Sequence, residues 1–250
     1  MTQAETDKGE RVGSPHIGTL NEKPLHAGLK VWYAEPGDRF EVSLDGFVID
    51  IVRDRLLIEI QTGSVSTLRR KLTALVKRHS TRLVIPIAAT RSIVKLDDQG
   101  GEQARRQSPK HGRVYDVFSE LVALPSLLGD SNLQVEVLLI EEEEVRRKSE
   151  THGWRRHGWV TDERRLVEVI DRVSFHHPAD FLAVVPPSLA EPFTTADLAD
   201  AVSCTRRLAQ QMAYCLRKMG VITVVEKKGN ALCYKRSLFA DAPCEDWTCG

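Results

Sequence analysis

Residues 40–61, FEVSLDGFVIDIVRDRLLIEIQ, decide the fold. Asp45-Gly46 separates two runs of alternating apolar residues, and an Asp-Gly pair accepts the backbone angles of a two-residue hairpin turn. With that turn, Leu44 faces Phe47, Val42 faces Ile49 and Glu41 faces Asp50. Phe40, Val42, Leu44, Phe47, Ile49 and Ile51 then share one apolar face. A second turn at Arg53-Asp54 folds residues 55–61 alongside as a third strand. Asp50 then faces Leu57, with Glu59 as its diagonal neighbour and Gln61 one step beyond. Opposed residues in such a pair lie about 5 Å apart and diagonal ones about 7–8 Å. Glu41, Asp50, Glu59 and Gln61 are therefore expected to converge on the second face of the sheet. Carboxylates gathered there repel one another and are costly to bury alone. A divalent cation relieves that conflict, and oxygen-only ligation suits Mg²⁺ or Mn²⁺. Such an ion activates water and stabilises charge on a phosphodiester.

Working outward, residues 21–34 have Leu25, Leu29, Trp32 and Tyr33 at helical spacing, and Glu35-Pro36-Gly37-Asp38 ends that helix. Residues 64–79 carry Val65, Leu68, Leu72, Leu75 and Val76 on one helical stripe. Residues 82–88 form a further apolar strand, with another expected at 93–96.

This order resembles the PD-(D/E)XK nuclease superfamily. That fold runs from a helix through three antiparallel strands and a crossing helix to a further strand. The resemblance covers residues 22–88 and implies a restriction-endonuclease-like α/β (α+β) core with a mixed central sheet. Asp50 falls at the family's metal-binding Asp, and Glu59-Ile60-Gln61 at its (D/E)-x-K. Glu41, Asp50 and Glu59 are then the metal ligands. Glu22 stands for the acidic residue of the first helix. The sequence departs from the pattern twice. Ile49 replaces the Pro before the Asp, and Gln61 replaces the Lys. Gln supplies neither a positive charge nor a proton as Lys does, so Lys71 on the crossing helix is the candidate replacement. The catalytic set is Asp50, Glu59, Gln61 and Lys71. The alternative is a degenerate nuclease-like domain, or plain surface carboxylates.

Residues 194–236 carry a second signal. Thr194-x-x-Asp197 is a capping box that opens a short helix. A turn at Ser203-Cys204 follows, then a helix with Leu208, Met212, Cys215, Leu216 and Met219 as its apolar stripe and Gly220 at its C-terminal cap. VITVVE and ALCYKR make a hairpin joined by Lys227-Lys228-Gly229-Asn230. Helix, turn, helix and basic hairpin resemble the winged helix-turn-helix family, in which the second helix enters the major groove. Arg206, Arg207, Gln210, Gln211, Tyr214, Arg217 and Lys218 would face outward. Arg and Gln suit base edges, while Lys227 and Lys228 suit phosphates. The implied partner is nucleic acid, double-stranded DNA first. A surface for protein contact is the competing use of this module.

The remaining chain says less. Residues 99–113 are polar and loop-like, and Arg105, Arg106, Lys110 and Arg113 there either bind phosphates or line a solvated connector. Residues 114–128 are expected to be helical and 133–140 a strand. Residues 141–150 form a charge run read as a solvated connector. GWRRHGW (153–159) is an aromatic, basic loop. Residues 166–173 and 179–185 are expected to be helical.

The domain reading is a disordered tail at 1–18, a nuclease-like domain at 19–150, a connecting helical extension at 151–185, a winged helix-turn-helix at 186–238 and a tail at 239–250. Lys+Arg and Asp+Glu balance at 35 each, so overall charge gives no support for nucleic-acid binding and local patches must carry it. No apolar run is long enough for a membrane span, and the N-terminus lacks the apolar core of a secretory signal. The five cysteines, including Cys244 and Cys249, form no C-x-x-C, which suits reduced thiols in the cytoplasm. The expectation is a Mg²⁺-dependent deoxyribonuclease with no membrane partner and room for a homodimer. Its rivals are a non-catalytic DNA-binding regulator and a protein–protein adaptor.

Overall fold

The first turn forms where the Asp-Gly pair places it. Strands β1 (Arg39–Leu44) and β2 (Phe47–Arg53) run antiparallel, with Leu44 opposite Phe47 and Val42 opposite Ile49. The structure, a computed structural model, describes residues 23–149 and 158–237. The second turn is shifted from the expected register. Arg53 pairs with Leu56, so Asp54-Arg55 is the turn and β3 (Leu56–Ile60) begins one residue later. The physical reason is the Arg53 side chain. Its guanidinium is held by Asp38 at 2.8 and 2.9 Å and by the Tyr33 carbonyl at 2.7 Å, which fixes Arg53 in the strand. The shift moves partners by two positions, so every side chain keeps its face. Continuing the register places Asp50 directly across from Glu59 instead of Leu57.

From β3 the chain passes through a 3-10 turn (Val65–Leu68) and α2 (Arg69–Leu75) to β4 (Thr81–Leu96), which lies parallel to β3. β5 (Glu102–Gln107) turns back along the far half of β4. β6 (Leu133–Lys148) lies parallel to β4, and β7 (Trp159–Phe175) pairs antiparallel with β6. The result is an α+β fold around a mixed sheet ordered β1-β2-β3-β4-β6-β7, with β5 beside β4. Helix α1 (Pro24–Tyr33) covers one face. Its Leu25, Leu29 and Tyr33 pack with Ile51, Ile58, Ile60, Val84, Leu138 and Ile140. A Cβ added at Gly28 would lie 3.2 Å from Leu166 Cβ, so glycine permits this close approach of α1 to β7.

The opposite face holds the larger core. Leu83, Ile85, Val135 and Val137 meet Leu72 of α2 and Phe118 of α3 (Phe118–Leu121), and Phe175 stacks on Phe181 at 4.1 Å. The same cluster continues into the C-terminal unit through Leu198, Ala209, Met212 and Leu216. That unit comprises β8 (Phe193–Thr194), α4 (Thr195–Ala201), α5 (Arg206–Lys218), β9 (Ile222–Lys228) and β10 (Ala231–Arg236), with strand order β8-β10-β9. The Thr194–Asp197 capping box is present. The Thr194 hydroxyl accepts from the Ala196 and Asp197 amides, and Asp197 accepts from the Thr194 amide at 2.7 Å. Gly220 follows α5 at φ +77°, the left-handed cap its position calls for. β9 runs through Lys227 and Lys228, leaving Gly229-Asn230 alone as the turn.

Several expectations are corrected. Residues 141–148 are strand, with Glu142 and Glu144 buried. Their charges are met by arginines: Arg91 of the neighbouring β4 lies 2.6 Å from Glu142, and Arg146 of β6 itself donates to Glu144 at 2.8 Å. Residues 166–173 are strand as well, so no helical connector occupies 159–175. The stretch at 178–184 is a 3-10 helix. The polar stretch 99–113 contains β5, and 114–121 is a 3-10 turn followed by one short helix. Both expected tails, Glu22, Cys244, Cys249 and residues 153–157 of the GWRRHGW loop lie outside the described residues.

Candidate active site

The sequence makes Asp50 and Glu59 neighbours by placing each in an apolar strand on the same side as Val52 and Leu57. Glu59 is 2% exposed, and its strand neighbours Ile58 and Ile60 are buried too. Past the Ile51–Ile58 pair, the Asp50 side chain takes a ladder position, with Oδ2 accepting from the Ile60 amide at 2.8 Å. The His26 Nε2 of α1 lies 3.2 Å from the same oxygen. From the other side Lys71 of α2 reaches in, its Nζ donating to Glu59 Oε2 at 2.5 Å and to the Val48 carbonyl at 2.5 Å.

The electrostatics separate the two acids. Burial raises the Asp50 carboxyl, but the His26 hydrogen bond, the Ile60 amide and the Lys71 charge outweigh it and hold the group below its ordinary value. Burial and the adjacent Asp50 push Glu59 up to about 7, against the opposing pull of Lys71. Glu59 Oε1 is buried without a hydrogen-bond partner. A buried carboxylate oxygen normally has one, so this atom is the unexplained group of the site.

The other expected ligands fall elsewhere. Glu41 adopts φ 51° and pairs with Lys30, a 1% exposed residue of α1. It is not drawn to Asp50, because the buried ammonium of Lys30 needs its charge. The Gln61 amide donates to the Ser64 carbonyl at 2.8 Å and to the Thr67 hydroxyl at 3.2 Å. It fastens the loop after β3 and does not reach toward Glu59. No group of three or more His, Cys, Asp or Glu side chains among the described residues is placed to hold a metal ion. The three-carboxylate cluster is thus corrected to a pair. His26 was not anticipated. It lies four residues before Lys30 on α1, and polar residues on a stripe with Leu29 and Tyr33 were the available signal that both need carboxylate partners.

On α5, Arg206, Arg207, Gln210, Tyr214, Arg217 and Lys218 are exposed and Gln211 is half-buried, opposite the buried Leu208, Met212, Cys215 and Leu216. Lys227 and Lys228 are exposed on β9, with Lys228 3.1 Å from Glu226. The basic stretch 105–113 is divided. Arg105 is engaged by Glu102 at 2.8 Å and Glu143 at 2.5 Å, and Arg106 reaches the Gln107 carbonyl at 3.3 Å. Arg113 donates to the Val202 carbonyl at 3.0 Å and the Ser203 carbonyl at 2.7 Å. Lys110 makes no ion pair among the described residues. No helix is long and apolar enough to cross a membrane among the described residues.

An uncharacterized protein of Treponema pallidum (strain Nichols) is 29% identical over 224 residues, covering 88% of this chain and 87% of that one. An alignment of that length takes in parts of both the large sheet and the C-terminal unit. No solved structure matches the chain. A family model described as a domain of unknown function (DUF8091) matches residues 23–176, which run from the start of α1 through β7 and contain His26, Asp50, Glu59 and Lys71, and the chain belongs to that family.

Proposed function

We propose that this protein is a metal-dependent nuclease of the PD-(D/E)XK type whose C-terminal winged helix-turn-helix holds double-stranded DNA. The observation that carries the reading is Glu59: a buried carboxylate beside Asp50, with one oxygen on Lys71 and the other without a partner. A carboxylate pair of this kind fits Mg²⁺ or Mn²⁺, since Mg²⁺ is commonly bound by one or two carboxylates together with water and substrate phosphate. When bound, the ion would supply a nucleophilic water and charge stabilisation at the phosphorus. Asp50, kept ionised by His26 and the Ile60 amide, and Glu59 through Oε1 would hold it. Lys71 stands where its ammonium can offset the charge that gathers on a phosphodiester, the service that Gln61 cannot give. The exposed Arg, Gln and Tyr side chains of α5 and the lysines of β9 supply DNA contacts.

Plasmid and linear duplex incubated with the protein and Mg²⁺ or Mn²⁺ test this directly. Cleavage is expected, abolished in Asp50→Ala and Glu59→Ala and reduced at least a hundredfold in Lys71→Ala. DNA binding without cleavage, lost in Arg206→Ala/Arg207→Ala, would instead identify a regulator with a degenerate site. The pairing of Gln61 to the Ser64 carbonyl favours that second reading. Absence of DNA binding at low salt would refute both.

A further inference from the structure

Between the stretch 110–113 and the start of α5 lies a cleft of about 380 Å³, lined among others by Lys110, His111, Arg113, Asp116, Arg207 and Gln211. Its walls are fixed to each other. Gly112 donates to the Ala88 carbonyl at 2.8 Å, and a Cβ on Gly112 would lie 2.6 Å from that oxygen, so this wall sits tight against β4. Arg113 spans to the carbonyls of Val202 and Ser203, tying the same wall to the α4–α5 turn. Asp116 is the one acid among the described lining residues, and its Oδ2 is taken by the Arg113 amide at 2.9 Å. Lys110 and Arg207 have no ion-pair partner among the described residues, so two uncommitted cations from separate elements flank a rigid opening. With Lys110, Arg113 and Arg207 against the single acid Asp116, the cleft is net positive, and such a cleft concentrates anions.

We propose that this cleft holds a backbone phosphate of bound duplex DNA, with Lys110 and Arg207 as its cationic clamp and Gln211 as a neutral donor. The inference rests on the nucleic-acid reading and reassigns Arg207 and Gln211 from base edges to the backbone. Glu59 pairs with Leu83, and Ala88 lies five residues further along the same strand. At about 3.3 Å per residue the Gly112 wall is offset about 16 Å along β4 from the row of Glu59. That separation is about five base-pair steps of about 3.4 Å each.

The test is fluorescence anisotropy of a labelled duplex in EDTA, from 50 to 200 mM KCl, so that hydrolysis plays no part. Lys110→Ala/Arg207→Ala should weaken binding and make the slope of log K against log salt shallower by about 0.9, the value of one lost phosphate contact. Arg39→Ala/Arg172→Ala, which removes two exposed cations elsewhere, should leave the slope unchanged. An unchanged slope in the first double variant, or an equal change in both, overturns the clamp while leaving DNA binding in place. If the wild type binds no DNA, the nucleic-acid reading fails with it. Stabilisation of that wild type by inorganic phosphate, lost in Lys110→Ala/Arg207→Ala, would then assign the cleft to free phosphate and also overturn the DNA assignment.

Discussion

Replacing Glu59 with Gln isolates the energetic character of the candidate site. Glu59 titrates near 7 in the folded protein against an ordinary 4.5. Between those two values the folded protein retains a proton that the unfolded chain has released. Stability must therefore fall as pH rises through that window. At 1.36 kcal/mol for each tenfold change in proton affinity, the loss amounts to about 3 kcal/mol by pH 8. Asp50 adds nothing there, because its carboxyl is ionised in both states above its ordinary value of 3.8. The amide of the Glu59→Gln variant would keep the shape and an oxygen for Lys71, yet carry no titratable proton. Its NH₂ would sit without an acceptor where Oε1 now lies, at a cost of about 1–3 kcal/mol that does not vary with pH. The informative quantity is thus the slope and not the offset. Urea unfolding followed by tryptophan fluorescence in EDTA, at intervals from pH 4.5 to 8, should show the wild type losing about 3 kcal/mol relative to Glu59→Gln. Parallel stability curves would refute the reasoning, since they would mean that Glu59 ionises as freely in the fold as in water. Adding Mg²⁺ at pH 8 should raise the wild-type midpoint and leave that of Glu59→Gln unchanged, because an ion that binds only the folded carboxylate pair stabilises by mass action.

His26→Ala removes the first of the interactions that hold Asp50 below its ordinary value. That depression stabilises the fold above about pH 4 and is lost as pH falls through the lower folded value, so the variant should unfold at a higher pH in an acid titration followed by circular dichroism. An unmoved acid midpoint would deny His26 that role. Arg113→Ala leaves the Val202 and Ser203 carbonyls without their charged donor and should cost about 1–3 kcal/mol in urea unfolding, with Arg113→Lys recovering only part of it. Gly112→Ala forces a Cβ to 2.6 Å from both the Ala88 carbonyl oxygen and Ile87 Cγ2, and overpacking of this kind should lower stability by about 1–3 kcal/mol. A variant as stable as the wild type would show that the 110–113 wall is free to move.

The parts of the fold that were legible are those written in local chemistry. Asp45-Gly46 fixed the first hairpin, Thr194 and Asp197 the start of α4, and the Leu208–Met212–Leu216 spacing the buried side of α5. Lys71 could be placed on the crossing helix because its stripe of leucines was plain. What misled was charge within strands. The run at 141–148 has glutamates where a sheet residue should be apolar. They are tolerated because Arg91 and Arg105 approach from β4 and β5 and Arg164 and Arg165 from β7. Only the Glu144–Arg146 pair is local in the chain, and the other partners depend on how the strands assemble. β7 carries three register irregularities against β6, which broke its alternation and left a pattern closer to helical spacing. The site shows the same division. Face and neighbours of Asp50 and Glu59 followed from alternation. The register did not, because Arg53 is held in strand by residues outside it. Glu41 and Gln61 were lost from the cluster because Lys30 and the Ser64 carbonyl compete for them.

The cost at Glu59 bears on which reading the site favours. A carboxylate kept only for packing could be replaced by Gln at the same volume, which removes the pH-dependent loss of about 3 kcal/mol at neutral pH against about 1–3 kcal/mol for the unpaired NH₂. A surface acid would be solvated, and Glu59 is not. A structural salt bridge to Lys71 would be expected to draw its titration down, as His26 and the Ile60 amide do for Asp50, yet desolvation and the Asp50 charge win. Two adjacent acids with opposite displacements, one oxygen without a partner and an ammonium alongside are the kind of perturbed pair that gathers at functional sites. The cation that complements such a pair would lower Glu59 and satisfy Oε1 in one step. The dependence of stability on Mg²⁺ and on pH should therefore be coupled: at saturating Mg²⁺ the wild-type loss between pH 4.5 and 8 should shrink toward that of Glu59→Gln. If Mg²⁺ leaves the slope as it is, Glu59 is a buried acid with another purpose, and the nuclease reading loses the observation on which it stands.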